Sequence, residues 1–401
     1  MTRHVPLISQ QSKRTANIVP QGPLPTTVEE AVAQLRPERP LYVLWPERIE
    51  DTARHFRQAF PGETMFAVKT NPDKTVLRHL NRAGIHTFDV ASIEEVRLLR
   101  RTLPKARLFF MHPVKSPEAI REAYYTHGIK HFVLDTEDEL FKIMRETGLA
   151  TDLTLFVRLS LPKNDTAAID FSGKFGAAPK EAAQLLAKCR PVARALGICF
   201  HVGTQTIDPS IYAKAIGVAA KVIKNCGVKV DFLDVGGGFP VPYPGQEAPS
   251  IEACVAAITA ATKEHKLDHM PLLAEPGRAL VAESGSLVVR VELRKGNTLY
   301  INDGTYGGLF DAGCALKARF PVRGIRPAGP FSGKMAEFQF AGPTCDSLDM
   351  MEGPFVLPAD MQMGDWIEIG NIGVYSQGMR TNFNGFGIAD TISLFEHRIK
   401  A

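Results

Sequence analysis

The sequence predicts an α/β fold, a (β/α)8 TIM-like barrel followed by a mostly antiparallel β domain. Three observations carry this. Strand-like and helix-like runs alternate from Thr64 to Ala274, giving eight strands over about 210 residues, the count and length of such a barrel. No Gly-x-Gly-x-x-Gly follows the first of these strands, which favours a barrel over an open doubly wound sheet. After about Ala282 helical periodicity stops, and strand runs with Pro/Gly-rich turns take over.

In chain order, residues 1–40 are polar and broken by prolines, including Pro20, Pro23, Pro25, Pro37 and Pro40. They read as an arm packing on the β domain, with one helix near Val28–Leu35. Leu41–Trp45 is a strand and Pro46 to about Gln58 a helix. The eight regular strands are Thr64–Val68, Thr87–Val90, Arg107–Met111, His131–Leu134, Thr154–Leu159, Gly197–His201, Phe232–Val235 and Pro271–Ala274. Helices fall at Lys74–Ala83, Ser92–Leu103, Ser116–His127, Thr136–Thr147, Pro179–Leu196, Pro209–Cys226 and Ser250–His265. Ser92 and Glu95 form a capping-box pattern. Each strand–helix pair is a βα unit, and right-handed crossovers require parallel strands. Leu287–Leu293, Leu299–Ile301, Ala336–Phe340 and Asp365–Ile369 are the strands of the second domain. The expected division is an arm (1–40), a barrel (41–281) and a β domain (282–401), with residues 1–45 able to join the last.

Composition narrows the class. With 45% hydrophobic and 22% charged residues among 401, the chain has ample core. A net charge of +4, spread along the sequence, gives no footprint for nucleic acid. The six cysteines show no Cys-x-x-Cys pair and no metal-ligand spacing with histidine, which argues against structural zinc and disulfides and for a reducing compartment. No run approaches the ~20 apolar residues of a membrane span and no signal peptide is evident. A cytoplasmic protein without bound metal, membrane or nucleic acid is expected.

Function in a barrel collects at the C-terminal ends of its strands. Those ends carry Lys69, Asp89, His112, Asp135, Arg158, His201, the Gly236-Gly237-Gly238 run and Glu275. A lysine at the tip of a buried strand sits where low dielectric disfavours the ammonium and lowers its pKa, which suits Schiff-base chemistry. Taken alone, Lys69 reads more readily as a side chain that merely snorkels to solvent at a strand end. Three glycines bare their backbone N–H groups to an anion, or simply make a turn. Glu275-Pro-Gly277-Arg278 adds an arginine suited to phosphate and a carboxylate able to keep a ring nitrogen protonated. His201 could stack on a flat cofactor and Thr204 could donate to phosphate. Near the C-terminus, Cys345 stands beside Asp346 and Asp349, and Tyr375 and Phe383 lie in an aromatic, Gly/Asn-rich stretch typical of site-lining loops.

These residues match a known pattern. Ala67-Val-Lys69-Thr-Asn71, Phe88-Asp-Val-Ala-Ser92, His201-Val-Gly-Thr204, Asp234-Val-Gly-Gly-Gly-Phe-Pro240, Glu275-Pro-Gly-Arg278, Cys345-Asp-Ser-Leu-Asp349 and Tyr375 with Phe383-Asn-Gly385 occur in one order. Over roughly residues 41–395 the chain closely resembles the fold-type III, pyridoxal-phosphate-dependent basic amino-acid decarboxylases, and within them ornithine/lysine decarboxylase. The resemblance implies the alanine racemase and ornithine decarboxylase type of fold, a homodimer with two shared active sites, and the cofactor pyridoxal 5'-phosphate. It implies Lys69 as the Schiff-base lysine, with Asp89 and Arg158 nearby and His201 stacked on the pyridine ring. Thr204, Gly236, Gly237, Gly238, Gly277, Arg278 and Tyr375 would surround the phosphate, and Glu275 would bind the ring nitrogen. Cys345 as acid and Asp346 as seat of the substrate's distal amine would come from the partner subunit, with Phe383 also at the substrate. The implied reaction converts ornithine or lysine to putrescine or cadaverine, in polyamine synthesis.

One departure from the pattern bears on substrate. Ornithine decarboxylases carry Tyr-Asp-His after Asn-Asp-Gly, and that aspartate also contacts the distal amine. Here Asn302-Asp-Gly304 leads to Cys314-Ala315-Leu316 at those positions, with Asp311 out of register. Downstream, Lys317, Arg319, Arg323 and Arg326 form a basic run that reads as solvated loop charge. If one entered the pocket, a substrate with a second carboxylate, of the diaminopimelate or carboxynorspermidine type, would come into play. Against diaminopimelate stands Asp346, where that pattern has Glu. Alanine racemase lacks the Cys-Asp-x-x-Asp element. A non-catalytic regulator of the same fold is the reading from another class, and retention of Lys69, Glu275 and Cys345 speaks against it.

Overall fold

The computed structural model describes residues 15–17, 24–162, 173–314 and 316–395. Half of the proline-broken arm (residues 1–14 and 18–23) and Ala315 lie outside them.

Eight parallel strands close into a barrel in sequence order, Glu63–Ala67, Thr87–Val90, Arg107–Phe110, His131–Leu134, Thr154–Arg158, Ala195–Cys199, Phe232–Asp234 and Leu272–Ala274. Closure joins the last to the first, with Leu273 opposite Glu63 and Ala274 opposite Thr64. The interior is filled by Met65, Phe109, Met111, Val133, Phe156, Cys199 and Leu273, so the barrel is packed rather than a pore. The outward faces pack with the helices into a continuous core that runs on into the second domain.

The expected helices form, with differences at three places. The Ser92 hydroxyl accepts from Glu95 N, but Glu95 Oε2 accepts from Ala91 N (2.6 Å) rather than from Ser92. The stretch beginning at Pro117 widens into a π turn over Glu122–Thr126. The helix from Pro179 ends at Cys189, not Leu196, because Ala195–Cys199 is already paired with Thr154–Arg158.

The second domain is a nine-stranded sheet whose long strand, Gly285–Lys295, pairs antiparallel with Leu41–Leu44, Thr298–Ile301 and Trp366–Ile369. Leu41–Leu44 therefore belongs to this sheet and not to the barrel. Its residues are buried on both faces, as a central strand requires. The expected strands at 287–293, 299–301, 336–340 and 365–369 are all present, the first three slightly longer and the last one residue shorter, joined by Val322–Ile325, Met350–Pro358 and Ala389–Ser393. Three pairings are parallel, among them Ala389–Ser393 beside Leu41–Leu44. The Val28–Leu35 helix, capped by Thr27, packs Val28 and Val32 against Trp45, Val288, Trp366 and Ile392.

The two domains meet at the C-terminal mouth of the barrel. Asn71 Nδ2 donates to Gly373 O (2.9 Å) and Tyr375 N to Thr70 O (2.9 Å). No helix among the described residues is long and apolar enough to cross a membrane.

Candidate active site

The strand Glu63–Ala67 ends one residue before the sequence suggests. Pro72 forbids its predecessor the helical region, and Asn71 is accordingly extended at φ −157°. Val68–Thr70 makes one 3-10 turn, closed by Asn71 N on Val68 O at 3.1 Å. Lys69 thus stands on the turn rather than on the strand, with its side chain open to solvent between walls of protein.

The acids around it reverse the expected shift. Burial of the surroundings favours the neutral amine, but Asp89, Tyr375 and Glu275 outweigh burial and hold the Lys69 pKa above its ordinary value. Asp89, at the end of its strand, is pushed up to about 7 by burial and then by Glu275, against the pull of Lys69 and Arg158. Arg158 ends the Thr154–Arg158 strand and acts electrostatically on Asp89, Glu275, Lys69 and His201 alike. Behind Asp89, burial raises Glu95 to about 7. Sequence reading had seen Glu95 only as a helix cap.

Glu275 closes the opposite wall. Burial, then the Asp234 carboxyl, raises its pKa well above the ordinary range, and Asp234 itself is raised to about 6, chiefly by burial. Glu275 Oε1 is buried without a hydrogen-bond partner among the described residues. An isolated buried carboxyl oxygen costs free energy, so this one awaits a polar partner.

His201 is half-buried. Burial, Arg158 and Lys69 depress it well below its ordinary pKa, so the imidazole is neutral, and its Nδ1 accepts from Gly203 N at 3.1 Å. Gly237 lies flush against it, since a Cβ there would stand 3.1 Å from His201 Nε2 and 2.7 Å from Glu275 O. Gly236 and Gly238 have φ of +68° and +94°, which only glycine adopts at little cost. Half-buried Thr204 adjoins the same loop. Gly277 abuts Thr70, whose hydroxyl is another buried group without a partner among the described residues. Arg278 donates from Nη1 to the Tyr243 hydroxyl (2.6 Å) and from Nη2 to Asp311 (2.9 Å), while its Nε is buried and unpartnered among the described residues. Its guanidinium lies 5.5 Å from the Tyr375 ring.

Lys69, Asp89, Arg158, His201, the glycines, Glu275, Arg278 and Tyr375 therefore share one bowl. The orphaned polar atoms at two separate points, Glu275 Oε1 on one wall and Arg278 Nε on another, suit a flat heterocycle that carries a ring nitrogen and an anionic arm. His112 and Asp135 also have loop duties, accepting from Val114 N (3.1 Å) and Gly176 N (2.8 Å). His112, whose pKa is lowered chiefly by burial and Lys115, feels the Lys69 charge as well.

Cys345, Asp346 and Phe383 form a second cluster on the β domain. Cys345 is exposed, and its N donates to Asn384 Oδ1 (3.1 Å). Asp346 accepts from the Tyr306 hydroxyl (2.5 Å) and from Leu348 N, bonds that lower its pKa. Tyr306 packs on Phe383 with ring centroids 5.0 Å apart. Sequence reading missed Tyr306, although it follows the Asn302-Asp-Gly304 motif by two residues. None of the groups that set the charge of Lys69 belongs to this cluster.

The family model described as "Pyridoxal-dependent decarboxylase, pyridoxal binding domain" matches residues 46–282. The chain belongs to this family. It is a pyridoxal-phosphate-dependent carboxy-lyase. Lysine/ornithine decarboxylase from Selenomonas ruminantium is 30% identical over 370 residues, covering 89% of this chain and 90% of that protein. The structure of lysine/ornithine decarboxylase from Vibrio vulnificus complexed with cadaverine aligns with a TM-score of 0.77 at 31% identity, over 92% of this chain and 97% of that one. The arginine decarboxylase of Paramecium bursaria Chlorella virus, bound to agmatine, aligns with a TM-score of 0.80 at 26% identity, over 92% and 99%.

Proposed function

We propose that the chain removes the α-carboxyl group of ornithine or lysine, in a homodimer whose two active sites each draw on both copies. The observation that carries this is the pair of buried orphan atoms, Glu275 Oε1 and Arg278 Nε, in the bowl that holds Lys69.

Lys69 carries the cofactor and Glu275 bonds its ring nitrogen. Neutral His201 stacks on the ring, and Arg278 Nε meets the phosphate with Thr204, Gly236, Gly237, Gly238, Gly277 and Tyr375 around it. Bound there, pyridoxal phosphate supplies the electron sink for decarboxylation. A ring nitrogen opposite Glu275 gives that carboxylate a cationic partner, which favours its ionised form. Asp89 and Arg158 set the charge beside Lys69, so that its proton can be given up and regained. Asp311, buried against Arg278 Nη2, orients the phosphate-binding arginine and is unavailable to substrate. From the partner copy, Cys345 returns a proton to the α-carbon, Asp346 holds the distal ammonium, and Phe383 with Tyr306 walls that end. None of those residues is among the groups that act on Lys69 within one copy, and this supports a shared site.

The purified protein should show an absorption band near ~420 nm that borohydride fixes to Lys69. A colourless protein without bound cofactor would sink the proposal. Release of CO2 from ornithine, lysine, diaminopimelate and carboxynorspermidine, compared side by side, tests the substrate. A carboxylated diamine is the second reading. It is favoured by the commitment of Asp311 to Arg278, which leaves Asp346 without an acidic companion from that loop.

A further inference from the structure

The basic run after Cys314 is mostly quenched. Lys317 pairs with Glu352 (2.9 Å), Arg323 with Glu29 and Glu368, and Arg326 with Asp360 and Asp365 at 2.9 and 2.7 Å. Lys317 and Arg323 are the solvated loop charge that the sequence suggests, whereas Arg326 departs from it, being largely buried against Asp365. Arg319 differs. It has no acidic partner among the described residues, and it lines a cavity of about 340 Å3 together with Lys317, Arg278, Gln205, Tyr243 and Gln246.

We propose that this cavity binds a small oxyanion, a carboxylate or a phosphate, with Arg319 as its main cationic ligand. No aspartate or glutamate is among its lining residues. Its far wall is Arg278, 6% exposed, whose charge is already balanced by Asp311. The wall beside it is rigid before any ligand arrives. Gln205 is 4% exposed, and its Oε1 accepts from Val241 N (3.2 Å). Tyr243 and Gln246 exchange backbone hydrogen bonds of 3.2 and 2.8 Å. The Arg319 guanidinium lies beside that turn, its Nη1 3.8 Å from where a Cβ on Gly245 would stand, which is ordinary contact distance. A preorganised polar wall under one unquenched guanidinium is the arrangement that recognises carboxylate or phosphate. Arg278 lines this cavity and also belongs to the Lys69 bowl, its guanidinium 5.8 Å from the Tyr243 ring and 5.5 Å from the Tyr375 ring. The inference goes beyond the decarboxylase reading and does not depend on it.

Calorimetric titration of inorganic phosphate into borohydride-reduced protein tests the proposal, because the cofactor seat is then filled and turnover stopped. One phosphate site is expected. Arg319→Gln should weaken it about tenfold, the effect of one charge-assisted hydrogen bond, and raising the salt should weaken it too. Arg323→Gln, whose partners lie outside the cavity, should leave it unchanged. Absence of phosphate binding, or equal affinity in Arg319→Gln, overturns the proposal. Displacement by diaminopimelate and not by lysine identifies the anion as a substrate's second carboxylate. Displacement by neither identifies a free anion, and both results support the site. Equal displacement by lysine places the phosphate in the amino acid's own carboxylate seat and overturns it. If the protein proves colourless, the same titration on the protein as purified still tests the cavity.

Discussion

Asp89 is pushed up from an ordinary 3.8 to about 7, first by burial and then by Glu275. A carboxyl whose pKa is higher folded than unfolded binds its proton more tightly in the native chain. Its contribution to stability is full below about 3.8 and is lost as pH rises through about 7. Glu95 and Asp234, also raised, act in the same direction. Neutral His201 acts in the opposite direction below its ordinary 6.5, so the share of Asp89 is read by difference. In the cofactor-free protein, Asp89→Asn is expected to rise in melting temperature relative to the unsubstituted chain as pH climbs from about 4 to about 7. Thermal melts across pH decide it, and an unchanged slope in the variant would remove Asp89 from the account. Glu275→Gln should keep the visible band while lowering kcat by about 100-fold, the scale of one lost electrostatic partner in a transition state. A band lost together with activity would instead make Glu275 a binding residue. The bowl was legible because each strand end carries a chemically capable side chain. The charge state of Lys69 was not. Low dielectric alone predicts a depressed amine, whereas its pKa is set by three acidic groups that come from distant parts of the sequence.

At the scale of elements, alternation of strand and helix was readable because each βα unit is local. The strands missed in the second domain are of another kind. Met350–Pro358 pairs with Met335–Ala341, but it contains Gly353 and Pro354, which break the expected strand texture. Ala389–Ser393 reads Ala-Asp-Thr-Ile-Ser with no apolar/polar alternation, and it is held by parallel pairing with Leu41–Leu44 from the far end of the chain. No local pattern records such a partner. The glycine run can be tested against a glycine of nearly identical backbone. Gly236 and Gly128 have φ of +68° and +67°, but a Cβ at Gly236 would overlap the Phe200 carbonyl, whereas at Gly128 it would meet nothing within 4 Å. Gly128→Ala should cost about 1 kcal/mol, the left-handed penalty alone. Gly236→Ala should cost at least about 3 kcal/mol, because backbone crowding is added, and should weaken cofactor binding as well. Denaturant midpoints compare the two, and equal costs would mean that the loop relaxes freely.

At the scale of the whole molecule, the proposed dimer makes one copy the bearer of two half-sites. The bowl has a cofactor's worth of contacts, and the Cys345–Asp346 cluster lies on the β domain with its thiol exposed. Around that cluster Leu348, Phe383 and Phe386 are 60%, 42% and 47% exposed, apolar surface that a second copy would cover. In a two-fold dimer each contact occurs twice, so each bowl would receive the cluster of the other copy. The motif spacing announced both halves, but a single sequence carries no register between copies. The proposed sharing makes a quantitative prediction. Lys69→Ala and Cys345→Ala are each expected to be nearly inactive, the second while keeping its visible band. Mixed and allowed to exchange subunits, half of the dimers become hybrids. Each hybrid has one site with both defects and one with neither, so about a quarter of wild-type activity should return. If both residues acted within one copy, every site in the mixture would remain defective and no activity would appear. Mixing at several ratios, with sedimentation to confirm the dimer, separates these outcomes, because recovered activity must follow the product of the two mutant fractions.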